Sequence, residues 1–289
     1  MIRRLCIVGV GLIGGSLAKA LRETGACQEV VGTSRDAAHL RRAVELGVID
    51  RYDTNIARAV DGADMVVVCV PLGAMEAVFS SMASHLAADA IVTDAGSSKR
   101  SVIAAAEVAF GRSLPNFVPA HPIAGTERSG VEAAFSTLYR GRKVIITPTQ
   151  ANPPEAVERV RNMWQSTGAE VLEMAPDHHD EVLAATSHLP HLLAYNLVDV
   201  LGQMEERRAM FRYAAGGFRD FTRIASSDPV MWHDICLANR DAVLDAIDRY
   251  ASSLQTLRQA VDASDSDALK TCFTRAKALR DQYVDVENS

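Results

Sequence analysis

Six residues near the N-terminus, Gly9-Val10-Gly11-Leu12-Ile13-Gly14, have the types and spacing with which a backbone cradles a pyrophosphate. Gly9 permits a tight turn, Gly11 lets the backbone approach the phosphates without a Cβ, and Gly14 lets the next helix pack close to the preceding strand. The N–H groups at the start of that helix face the anion. An apolar run at 5–8 precedes the motif and a helix-like stretch at 15–21 follows it, which is the strand, turn and helix context the chemistry needs. A second choice falls at the end of the next strand-like run, Val30-Val31-Gly32-Thr33-Ser34-Arg35. Chains selective for NAD place an acid there, whereas Ser34 and Arg35 suit a 2′-phosphate, so NADP is favoured over NAD. Asp36 comes next and keeps NAD open. Two further strand ends, Val70-Pro71-Leu72 and Thr93-Asp94-Ala95-Gly96-Ser97-Ser98-Lys99, belong on the cofactor side of an open α/β sheet, and Val70, Pro71 and Asp94 are read as cofactor contacts. His121 lies between a strand end and a glycine turn in Pro119-Ala120-His121-Pro122-Ile123-Ala124-Gly125, and Pro122 fixes the local backbone of an oriented side chain. His188 and His191 have a spacing that can ligate zinc, and Asp177-His178-His179-Asp180-Glu181 invites the same thought. No third-ligand motif accompanies the first, and acids in a first helical turn complement the dipole without metal, so no metal site is expected.

These residues need a scaffold, and the pattern of the chain supplies one. Strand-like runs at 29–31, 65–70, 90–93, 117–118, 144–146 and 171–172 alternate with helix-like segments, the signature of βαβ units on a mostly parallel sheet. After about residue 174 helical periodicity takes over, at 189–201, 229–257 and 268–283. Two domains are therefore expected, 1–174 and 175–289, in a chain of 289 residues. Apolar residues in the helical half, such as Leu189, Leu192, Leu193, Leu197, Val198 and Leu201, are too dense for one solvated face; burial against another subunit fits them better than the alternative, a thick internal core. With 48% hydrophobic residues the chain has the apolar surface for packed cores, and a net charge of -6 argues against a general nucleic-acid binder. No signal-peptide pattern and no membrane-length apolar run is present, so a cytoplasmic location is expected. Cys6, Cys27, Cys69, Cys236 and Cys272 form no paired motif and are read as buried, reduced thiols.

The stretches 9–16, 93–99, 121–130, 138–148, 179–193, 216–225 and 228–234 together resemble, in order, the prephenate/arogenate (cyclohexadienyl) dehydrogenases of tyrosine biosynthesis. The resemblance implies a Rossmann-type, doubly wound N-terminal domain, an all-helical dimerisation domain making a homodimer, and oxidative decarboxylation of a small anionic substrate, prephenate or arogenate, with NAD or NADP. It implies that His121 is the catalytic histidine and Ser97 the serine assisting it. Glu127 becomes the acid at the substrate gate, His191 a substrate-site histidine, Arg223 the holder of a substrate carboxylate and Trp232 a neighbour of the ring pocket. Thr126 joins the substrate set, and Arg219 is a second candidate for the same anion. The residue types suit these roles, since imidazole is a base near neutrality, a hydroxyl bridges substrate oxygen and imidazole, and a guanidinium matches a carboxylate bidentately. Nothing resembling a chorismate mutase precedes the first strand and too few residues follow Tyr283 to form a regulatory domain, so feedback by tyrosine is expected to act at the active site or to be absent. A β-hydroxyacid-type dehydrogenase would place a lysine near His191, where none is found, and a nucleotide-binding redox sensor leaves His121, Ser97 and Arg223 unexplained.

Overall fold

The computed structural model describes residues 1–111, 115–205 and 211–283. Two compact units divide between Arg240 and Asp241. The first begins with β1 (Ile2–Val8), α1 (Leu12–Glu23), β2 (Cys27–Thr33), α2 (Ala37–Glu45), β3 (Arg51–Tyr52), α3 (Ile56–Val60), β4 (Met65–Val68), α4 (Met75–Met82), β5 (Ile91–Asp94), α5 (Arg100–Phe110) and β6 (Phe117–Val118). These six strands form one parallel sheet in the order β3-β2-β1-β4-β5-β6, the doubly wound Rossmann order whose direction reverses between β1 and β4. Helices cover both faces, so the central strands are apolar throughout. Leu5 and Ile7 of β1 join the core beneath α1 with Leu17 and Leu21, while Cys6 and Val8 join the opposite core with Phe79 and Phe117. This period of two is the strand pleat itself, and each buried Leu, Ile or Val contributes about 1.5–3 kcal/mol.

The strand-like runs at 144–146 and 171–172 do not extend that sheet. They form, with an unforeseen strand, a second sheet of β7 (Ala120–Pro122), β8 (Lys143–Ile146) and β9 (Glu170–Glu173), in which β7 and β8 run antiparallel. A histidine and a proline disguise β7 in the sequence, yet at a sheet edge the missing proline N–H is tolerated. The run at 65–70 ends as a strand at Val68, because Cys69 and Val70 turn into the loop that carries Pro71.

After α6 (Pro154–Gln165), the helical part of this unit runs through α7 (Pro176–Leu183), a π-turn (Ala184–His188), α8 (Leu189–Gln203), α9 (Gly216–Thr222) and α10 (Pro229–Ala238). The π-turn precedes Pro190, which has no N–H to give to the preceding turn, so the helix widens there. The periodicity over 229–257 is interrupted at Asn239, which is buried with φ −111° and ψ 33° between α10 and the next helix. The second unit comprises, within the described residues, α11 (Arg240–Asp262) from its second residue onward and α12 (Ser266–Tyr283), joined by a turn in which Ser264 takes φ 53°. Its helices expose Leu244, Leu254, Val261, Phe273 and Leu279. All five cysteines are free thiols, but only Cys6 is fully buried, and burial pushes it up to about 12; the others keep partial exposure, a correction to their expected burial. Among the described residues no helix is long and apolar enough to cross a membrane.

Candidate active site

The loops that leave the carboxyl ends of β1, β4, β5 and β7 meet the π-turn and α10 around a cavity of about 400 Å³. Its wall on the sheet side starts with the glycine turn. Gly9 has φ +94°, and a Cβ there would sit 2.4 Å from the Cys69 carbonyl oxygen; a Cβ on Gly14 would sit 2.4 Å from the Gly9 carbonyl oxygen. Packing within the chain thus dictates both. Gly11 is different: a Cβ there would meet nothing within 4 Å, so the space in front of the α1 N-terminus is open. An open cradle of backbone N–H groups at a helix start fits a dinucleotide phosphate. Gly11, Leu12, Ile13, Val70 and Pro71 line the cavity. Ser34 and Arg35 lie outside that lining, and the Ser34 hydroxyl engages the backbone of Asp36. Asp36 itself is the N-cap of α2, accepting from the Ala38 and His39 N–H groups at 2.8 and 3.1 Å.

Asp94, read from the sequence as a cofactor contact, lies outside the cavity lining. It is fully buried, and Lys99 Nζ donates to it at 2.5 Å and to the Ala120 carbonyl at 2.6 Å. The carboxylate also accepts from Gly96 N–H at 2.7 Å and Ala120 N–H at 3.1 Å. A lysine sealed from solvent needs such a partner, and burial still holds it below its ordinary value despite Asp94. The pair ties the end of β5 to the start of β7 and so fixes the backbone next to His121.

His121 lines the cavity, and a chain of three side chains sets its protons. Asp180 Oδ1 lies 2.8 Å from His179 Nδ1, and His179 Nε2 lies 2.9 Å from His121 Nδ1. A carboxylate only accepts, so His179 Nδ1–H donates and its Nε2 keeps a lone pair. That lone pair accepts from His121 Nδ1–H, and His121 Nε2 is left as a bare acceptor. Both imidazoles are neutral in this chain. Burial above all, then the neighbouring His179, Lys99 and His188, hold His121 well below the ordinary histidine value, and burial lowers His179 in spite of Asp180. Burial would raise Asp180, but the bonds from His179 and from the Lys99 and Arg100 N–H groups hold it below the usual carboxylate range. The last two bonds, 2.7 and 3.0 Å, come from the start of α5, and Ser98 Oγ adds a third donor at 3.1 Å. Asp180 therefore caps α5 from across the fold, and Ser97 lines the cavity instead of capping.

On the opposite side the structure redistributes the expected roles. Thr126, Glu127 and Trp232 line the cavity, but His191 does not; it stacks on Trp232, with ring centroids 3.7 Å apart and planes at 20°. Its Nδ1–H donates to the Ser187 carbonyl at 2.8 Å, so it supports the indole from behind. The histidine that reaches the cavity is His188. Arg223 also lies outside the lining and is not held in wait for an anion: it pairs with Glu127, and both side chains are largely exposed. Arg219 lies outside the lining as well. Residue types and spacing alone do not single out His179, Asp180, His188, Lys99 or Asn239 as site residues. The adjacent His-Asp pair is the available signal, and a helix-dipole role accounts for it equally well in the sequence. No group of three or more His, Cys, Asp or Glu placed to hold a metal ion occurs among the described residues.

Two family profiles match the chain in succession. Residues 17–173 match the family profile described as prephenate dehydrogenase, nucleotide-binding domain, and residues 175–275 match prephenate dehydrogenase, dimerization domain. The cyclohexadienyl dehydrogenase of Zymomonas mobilis is 39% identical over 96% of this chain and 95% of its own. A crystal structure of the A. aeolicus prephenate dehydrogenase with hydroxyphenyl propionate and NAD+ superimposes with a TM-score of 0.91 at 37% identity, covering 98% of both chains. The Synechocystis arogenate dehydrogenase gives 0.82 at 26% identity over 97% of this chain and all of its own, 100%.

Proposed function

Because the chain belongs to the prephenate dehydrogenase family, we propose that it oxidatively decarboxylates prephenate, with arogenate as the alternative substrate, using NADP or NAD. The observation that carries this reading is the bare His121 Nε2 facing the cavity next to an open nucleotide cradle. When bound at Gly11, Leu12 and Ile13, the nicotinamide cofactor supplies the hydride acceptor. His121 takes the proton of the substrate hydroxyl at Nε2 as the hydroxyl-bearing ring carbon loses hydride and becomes a carbonyl. The ring carboxylate then leaves as CO2, its bonding electrons aromatise the ring, and the proton held on His121 returns to the phenolate. His179 and Asp180 keep His121 Nε2, the nitrogen that takes and returns the proton, on the cavity side. Ser97 orients the hydroxyl, Trp232 and Thr126 pack the ring, and the Glu127–Arg223 pair at the rim opens so that Arg223 meets a substrate carboxylate, with Arg219 behind it.

Asp36 caps α2 through Oδ1, and the choice of NADP over NAD rests on Ser34 and Arg35, whose hydroxyl and guanidinium suit a 2′-phosphate. The helical domain begins near residue 175 and pairs two chains, an assembly supported by the dimerization-domain match and by the exposed leucines of α11 and α12. Steady-state assays with prephenate and arogenate, each with NAD+ and NADP+, test the reading. Reduced nucleotide and CO2 in equal amounts are expected from prephenate, and a protein that turns over neither substrate would refute it.

A further inference from the structure

His188 is held as the mirror image of His121. Its ring is 1% exposed, lines the cavity, and belongs to the π-turn. Asn239 Nδ2 lies 2.8 Å from the Asp180 carbonyl and 3.2 Å from His188 Nδ1. The carbonyl only accepts, which identifies that Asn239 atom as the amide nitrogen. Its second hydrogen then points to His188 Nδ1, which must accept, so the His188 proton sits on Nε2. Burial depresses His188 to about 4, so the ring is neutral near pH 7 and this tautomer is the one present. Among the described residues Nε2–H has no hydrogen-bond partner, and neither does the indole Nε1–H of Trp232, another buried cavity residue whose ring centroid is 6.0 Å from that of His188. Buried donors are almost always satisfied, and two orphans on one cavity wall point to a ligand.

We propose that His188 is a substrate-binding residue whose Nε2–H, locked by Asn239, donates to an oxygen of the bound substrate, with Trp232 Nε1–H as a second neutral donor. The inference rests on the dehydrogenase reading and adds to it. The cavity then offers one imidazole that only accepts, His121, and one that only donates, His188. A hydroxyl to be deprotonated goes to the first and a carbonyl or carboxylate oxygen to the second. Two neutral donors hold such an oxygen without the standing charge of a second arginine, so they leave the low dielectric around His121 intact.

The test uses hydroxyphenyl propionate, the compound held by the A. aeolicus relative, titrated calorimetrically into the full-length protein in the presence of NAD+. His188→Leu should weaken binding by about 5- to 150-fold, the range for leaving a buried group unpaired. His188→Gln, which keeps an N–H donor, should recover most of that loss, and Asn239→Leu should fall between the two because it frees the tautomer without removing the ring. A structural role would not produce this ranking. Binding by a folded His188→Leu protein within twofold of the parent overturns the proposal, as does equal loss in the Leu and Gln variants. Should His188→Leu fail to fold, the parent's own His188 Nε2 proton resonance decides: ligand must shift it, and an unmoved signal overturns the inference. Turnover of prephenate with an unmoved His188 signal sinks this inference alone, whereas absence of turnover on both substrates sinks the dehydrogenase reading whatever His188 does.

Discussion

Replacing His179 by leucine removes the acceptor at 2.9 Å from His121 Nδ1 and touches neither the cofactor cradle nor the substrate wall. The consequence is set by where a single proton goes. With His179 present, the buried Nδ1–H of His121 is paired and Nε2 is bare. With leucine, that N–H is orphaned at a cost of about 1–3 kcal/mol, and the ring escapes by moving its proton to Nε2, where the base should be. The fraction of enzyme with a usable lone pair then falls about 5- to 150-fold, the same range expressed as a ratio. The turnover number should drop by that factor, less than the 10²–10⁴ roughly expected for loss of the base itself, while affinity for the nicotinamide cofactor stays at the parent value. His179→Gln sharpens the test, since its amide N–H can donate to Asp180 and its carbonyl can accept from His121. Following reduced nucleotide at saturating substrate gives the rates, and a thermal melt confirms the fold. A His179→Leu enzyme within twofold of the parent, or equal losses for Leu and Gln, would show that the relay does not set the His121 tautomer.

Other outcomes follow from the same geometry. His121→Asn should lower kcat by about 10²–10⁴-fold with cofactor affinity retained, and in the parent kcat should hold through pH 6.5 and fall only in more acidic buffer, because burial holds His121 well below that value; a pH profile of kcat reads the limb directly. The buried histidines also make the fold acid-labile. An unfolded His188 takes up its proton near pH 6.5 and the folded one only near 4, so the unfolded state binds more protons between these values and stability declines by about 3 kcal/mol as pH falls across that window. Denaturant melts at several pH values measure it, and a pH-independent midpoint refutes it. Lys99→Met leaves Asp94 buried without a counter-charge, a loss of about 3–5 kcal/mol, which lowers the melting temperature by roughly 6–20 °C in a unit of this size; Lys99→Met with Asp94→Leu should regain much of it. Arg223→Ala breaks only an exposed pair with Glu127, so its melting temperature should stay near the parent's while KM rises steeply, and the reverse result would make the arginine structural. Arg35→Ala should weaken NADP and spare NAD, read from the two KM values.

Much of the scaffold can be read directly from residue types. Apolar strands buried on both faces and a glycine turn at residue 9 leave little choice but a parallel sheet that opens onto a nucleotide. His121 was legible as a cavity residue because proline and strand-end context restrict it locally, whereas Trp232 was indicated only by the family resemblance. The failures share a cause: each is decided by a contact or a local backbone geometry that residue types do not announce. Asp94 has the look of a cofactor contact until Lys99 folds back onto it. Asp180 has the look of a solvated helix start, yet its partners lie some eighty residues earlier, at Ser98, Lys99 and Arg100. His188 and His191 are chemically identical in sequence, and only the π-turn ahead of Pro190 decides which ring meets the cavity. Likewise β7 has no propensity signal, because its pairing with β8 is what makes it a strand.

The capping of α5 by Asp180 also bears on how the enzyme comes into being. The first turn of α5 emerges during synthesis with two backbone donors that stay unanswered until residue 180 arrives and docks. Until then His121 has no His179 to hold its proton, although the glycine turn and the sheet that forms the nucleotide cradle are complete. A chain ending before α7 keeps the residues of the glycine turn but has no His179 to orient His121. The base is oriented only when the helical part has folded onto the sheet, and the carboxylate that caps α5 is the one that orients the histidine pair.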